Sequence, residues 1–137
     1  MMQFYFLSIV FNILAGLALI LDPEVSGDVP LLEGLKTSLK NETTRLILAI
    51  LTSATGVFKI LSVTRMDVVI VGDLFPALAG ITTGIALFYE FYAGRSSLSG
   101  QSNPVFQAIF VARKKWIGYA ALLAAVLHFI FPNVLFL

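Results

Sequence analysis

Residues 68–92 read VVIVGDLFPALAGITTGIALFYEFY, an apolar run that carries Asp73 near its start and Glu90 near its end. A bilayer core of about 30 Å asks for roughly 20 apolar residues in a helix, a length for which a soluble core helix has no use. The stretch predicts a transmembrane helix. Within it Asp73, Ala77, Gly80 and Gly84 recur at spacings of four, three and four. One carboxylate and a seam of small side chains therefore share a face, which is expected to point at other helices rather than at lipid.

Composition agrees with this reading. The chain has 137 residues, 58% hydrophobic and 12% charged, with a mean hydropathy of +0.94. That leaves too few polar side chains to cover a soluble globule of this size, so lipid is expected to solvate much of the surface. A net charge of +1 gives no nucleic-acid footprint. The absence of cysteine removes disulfides, thiolate metal sites and a cysteine nucleophile.

Outward from the central stretch, three further runs reach spanning length. Residues 4–21 are apolar apart from Ser8 and Asn12, and no basic residue precedes them, so an uncleaved first span is expected rather than a signal peptide. Residues 44–63 form a second span, with Arg45 at its start and Lys59 near its end. Only residues 64–67 separate it from the third span at 68–92, which predicts an antiparallel hairpin. A fourth span is expected at 116–131. Residues 68–72 read either as the first turns of the third span or as an extended lead-in, with Asp73 an N-cap and Pro76 in the first turn.

Two short amphipathic helices are predicted between the spans. In the first, Leu31, Leu32, Leu35 and Leu39 fall on one face and Glu33, Lys36 and Lys40 largely off it. The second starts at Asn103 and Pro104, an N-cap and N1 pair, and carries Phe106, Ile109 and Phe110 as its apolar stripe. It leads into Arg113, Lys114, Lys115 and Trp116, an interfacial belt. The predicted fold is thus all-α: one polytopic membrane domain, a bundle of four transmembrane helices with two interfacial helices.

The two halves, residues 1–65 and 66–137, resemble each other. Phe11-Asn-Ile-Leu-Ala-Gly16 answers Phe75-Pro-Ala-Leu-Ala-Gly80, and an ungapped alignment of the second and fourth spans sets Arg45 on Lys114, Thr52 on Ala121, Gly56 on Ala125 and Lys59 on His128. A tandem duplication of two helical hairpins and chance matching in Leu- and Ala-rich spans both remain open. A true duplication would relate the halves by an axis along the membrane normal. The basic residues Lys36, Lys40, Arg45, Arg95, Arg113, Lys114 and Lys115 lie on the side of the long loops, which predicts cytoplasmic loops and outward termini. The sequon Asn41-Glu42-Thr43 is then on the cytoplasmic side and expected to be unused.

Function has to rest on the polar residues of the spans. Lys59 shares a face with Thr52, Thr55 and Gly56, and His128 shares one with Ala121, Ala124 and Ala125. Lys59, Asp73 and His128 then form either a functional polar cluster, able to pass a proton, or a structural ion pair beside a histidine bonded to a carbonyl. The structural reading is the simpler, since all three lie near an interface. Asn12 is expected to make an interhelical hydrogen bond and Glu90 to meet a nearby cation; Gly16, Gly56, Gly80 and Gly84 are expected at helix contacts. Asp73 and Glu90 are the only acids in the spans and sit 17 residues apart, about 25 Å along a helix. They cannot form a catalytic pair. No multi-histidine zinc site, nucleophile elbow or phosphate loop is present, so no enzyme activity, metal or cofactor is expected. Two readings follow. In the favoured one the chain is an accessory or assembly subunit that docks a membrane partner, or a further copy of itself, through Leu31, Leu35, Leu39, Phe106, Ile109 and Phe110. In the other it is a small oligomeric transporter or channel using Lys59, Asp73 and His128.

Overall fold

A computed structural model of the chain describes residues 2–21, 30–61, 74–95 and 103–131, with residues 2, 30–32 and 95 described as backbone only. Of the described residues 94% are helical and none lies in a strand. The helices are α1 (Met2–Ile20), α2 (Pro30–Lys40), α3 (Glu42–Leu61), α4 (Leu74–Arg95), α5 (Pro104–Phe106) and α6 (Lys114–Ile130), with a π turn over Gln107–Val111 between the last two. By length and composition α1, α3 and α4 can each cross a membrane. The fourth span expected at 116–131 corresponds to α6, which is 17 residues long and falls short of the other three.

Local chemistry explains the helix starts. Asn41 Oδ1 accepts the Thr43 amide at 2.9 Å, so the side chain read as a sequon acts as the N-cap of α3, two residues ahead of the expected start. The Asn103 side chain accepts the Val105 amide at 2.9 Å with Pro104 in the first turn, as the sequence predicts for the short helix there. In α4 the described helix begins at Leu74, so Pro76 sits in the first turn, where its missing N–H breaks no helical bond.

The four long helices pack side by side. Contact is most extensive between α3 and α4 and between α1 and α6, while α3 and α6 stand diagonally opposite without touching along their backbones. Small residues allow the closest approaches. A Cβ on Gly56 would lie 2.7 Å from the Ala77 carbonyl oxygen, and one on Gly84 would lie 2.8 Å from that of Ala49. Gly16 and Gly118 face each other in the same way across α1 and α6. The Gly80-x-x-x-Gly84 seam is thus used inside the chain, against α3.

The interior mixes leucine and isoleucine with many small and polar residues, and many large apolar side chains lie outside. Ala15, Ala77, Ala86, Ala121 and Ala125 are buried together with Ser8, Asn12, Thr52, Lys59, Thr83 and His128, whereas Phe6, Phe58, Leu61, Phe88, Leu123 and Phe129 are exposed. Thr52 and Thr83 satisfy their hydroxyls within their own helices, on Leu48 O at 2.6 Å and Ala79 O at 2.5 Å.

Candidate functional site: a polar interior between two polar clusters

The chain directions bring together the start of α1, the end of α3, the start of α4 and the end of α6. At this end the Lys59 Nζ is in hydrogen-bond contact with His128 Nε2. The lysine is 4% exposed and the histidine 0%. An ammonium only donates, so a charged Lys59 requires Nε2 to accept and fixes the imidazole as the neutral Nδ1–H tautomer. Tyr5 completes the cluster. Its hydroxyl donates to the His128 carbonyl at 2.7 Å, its ring lies 4.5 Å from the imidazole, centroid to centroid, and Lys59 Nζ stands 5.4 Å from the ring centre. Phe4 and Phe58 close the outer side with ring centroids 5.9 Å apart. Asp73, the third member expected from the sequence, lies outside the described residues.

Tyr5 was not expected here, because it sits inside an apolar run. Its spacing carried a signal nonetheless: Tyr5, Ser8 and Asn12 follow one another at three and four residues and so share one face of α1.

One turn to two turns deeper, Asn12 is 1% exposed and its Nδ2 donates to the Pro76 carbonyl of α4 at 3.0 Å. This is the interhelical bond expected of it. Asn12 Oδ1 and Ser8 Oγ are buried, and neither has a hydrogen-bond partner among the described residues. Thr55 is buried on the facing side of α3.

At the opposite end Glu90 holds two cations. Its Oε2 pairs with Arg45 Nη2 of α3, and its Oε1 with Lys114 Nζ of α6 at 3.0 Å. The cation expected beside Glu90 is therefore a pair of cations, one from each helix flanking α4. The side chains are 17–29% exposed, so the network is partly screened.

The stripes expected to dock a partner are partly engaged within the chain. Leu39 is buried in the core with Ala18, Leu48 and Leu87, and Leu35 packs against the same cluster; the Leu31 side chain lies outside the described set. Phe106 and Phe110 stack on each other at 5.6 Å and each reaches Tyr89 of α4 at 6.3 Å, yet Phe106 and Ile109 both remain exposed.

The polar contacts pair residues that the two halves set in register. Asn12 bonds Pro76; Lys59 meets His128; Arg45 and Lys114 share Glu90. The buried residues of α6 are Gly118, Ala121, Ala124, Ala125 and His128, and each falls in that register on a buried residue of α3: Ala49, Thr52, Thr55, Gly56 and Lys59.

These features define an all-helical protein with three apolar helices of membrane-crossing length and a polar interior. The chain belongs to a family whose model matches residues 1–128, a span that takes in every polar contact described above. It is 34% identical over 140 residues to an uncharacterized protein of Treponema pallidum (strain Nichols), with 100% of each chain covered. No solved structure matches.

Proposed function

We propose that the protein is an integral membrane protein of four spans, built from two duplicated hairpins, and that it conducts protons along its polar interior. The membrane placement draws on three apolar helices of spanning length and on the many large apolar side chains left on the outside of the bundle. On this reading α6 is the fourth span. The basic residues of the Glu90 end face the cytoplasm, and the cluster of Tyr5, Lys59 and His128 lies toward the opposite surface.

The observation that carries the functional reading is the buried contact of Lys59 with His128 inside the helix bundle. An ionisable pair is costly there and is by default a functional feature. Between Lys59 Nζ and His128 Nε2 one proton can lie on either nitrogen, an exchange that a proton path can use. Asp73, one residue before α4, is placed by the sequence to join them. The accessory-subunit reading is the weaker, because Leu35, Leu39 and Phe110 pack within the chain itself.

Purified protein in liposomes with an interior pH dye decides between them. Wild-type vesicles should equilibrate an imposed pH step faster than empty ones, and His128→Gln and Lys59→Met should bring the rate down to that of empty vesicles while still running as monodisperse protein. If wild type gives no flux and instead co-purifies with one stoichiometric membrane partner, the accessory reading replaces this one.

A further inference from the structure

At the Glu90 end a cavity of about 430 Å³ opens between the start of α3, the end of α4 and the start of α6. Lys40, Arg45 and Lys114 line it, with Glu42, Glu90 and an apolar wall that includes Phe91. We propose that this cavity binds a phosphate group, as borne by an anionic lipid headgroup or by a free phosphate.

Charge supports this first. Three cations and two carboxylates leave one positive charge on the lining. The Glu90 carboxylate is turned onto Arg45 and Lys114 through both of its oxygens, and Glu42 sits in the first turn of α3, where the helix dipole favours an acid. Donor supply supports it next. A guanidinium has five N–H donors in a planar fork that matches a phosphate, and Arg45 directs only Nη2 at Glu90. Lys40 has no ion-pair partner among the described residues, and an ammonium brings three donors. Size and polarity agree as well. A volume of about 430 Å³ exceeds what a bare phosphate fills and lies in the range of small-ligand sites. Its apolar wall suits the glycerol and first methylenes of a lipid. Basic pockets between spanning helices on the cytoplasmic side are a known solution for anionic headgroups.

The lipid source rests on the membrane placement proposed above; the free-phosphate source does not. Native mass spectrometry of the detergent-purified full chain, titrated with dioleoyl phosphatidylglycerol, with dioleoylglycerol or with inorganic phosphate, tests both. Phosphatidylglycerol should stay bound where dioleoylglycerol, which lacks the phosphate, does not. Lys40→Gln and Lys114→Gln should each weaken retention by about fivefold, the effect of one basic residue near an anionic surface. Lys40→Gln is the safer variant, because Lys40 is exposed and takes no part in the Glu90 pairs; its melting curve should match wild type. Retained phosphatidylglycerol that inorganic phosphate fails to displace identifies a lipid site. Displacement by millimolar phosphate identifies a site for the free anion. Equal retention of the two lipids with no phosphate bound, or retention unchanged in both variants, overturns the proposal. Protein that fractionates away from membranes refutes the placement alone, and the phosphate titration then still decides the cavity.

Discussion

Two glycines of the chain show how position decides what a missing side chain is worth. Gly34 lies inside α2 with nothing within 4 Å of where a Cβ would stand, whereas a Cβ on Gly84 would press on the Ala49 carbonyl oxygen at 2.8 Å. Gly34→Ala should stabilise the protein by about 0.5–1 kcal/mol through helix propensity alone. Gly84→Ala should instead destabilise it by about 1–3 kcal/mol, since backbone cannot yield as a flexible side chain would. Thermal melts of the two variants in one detergent check the sign of each. The small-residue faces were legible in the sequence, and with them the inward aim of Lys59 and His128, because a cation on a face of threonine, glycine and alanine has nowhere else to point. Tyr5 was not legible. Its role depends on which carbonyl ends up above it, and that carbonyl belongs to residue 128.

Among the elements, the long helices were readable from apolar length, and their ends were set by chemistry that length does not reveal. Asn41 illustrates the difference. As part of Asn-Glu-Thr it suggests a glycan acceptor; with α2 ending at Lys40 and α3 starting at Glu42, its amide oxygen is the cap that holds the Thr43 N–H. Asn41→Ala should therefore lower stability by about 1 kcal/mol and Asn41→Ser should restore most of it; denaturation monitored by circular dichroism distinguishes the pair. Leu35 and Leu39 of the expected leucine stripe do turn inward, but a stripe does not state its partner. Here Leu39 finds the chain's own α1 and α3, in one cluster with Ala18 and Ala49. The π turn over Gln107–Val111 has no sequence signal that we can name.

For the whole molecule, the relation between the halves is the strongest organising idea that the sequence offered and the one it was least able to decide. Matches in Leu- and Ala-rich spans arise by chance. Contacts between registered residues are harder to dismiss, because residues related by a two-fold axis meet only when they lie near it. Asn12 with Pro76 and Lys59 with His128 are two such meetings, and α1 against α6 mirrors α4 against α3. If an axis relates the hairpins, exchange across it is tolerated. Lys59→His combined with His128→Lys should regain most of the stability that His128→Lys alone loses by setting two amines side by side, a coupling of about 1–3 kcal/mol in a double-mutant cycle. Additive losses would count against the duplication.

Among the described residues the diagonal pair α3 and α6 meets at its extremities, by Lys59 with His128 at one mouth of the bundle and through the shared Glu90 at the other. Undoing either frees α3 from α6 at that rim alone, since the hairpins stay joined by the packed seams of α3 on α4 and of α1 on α6.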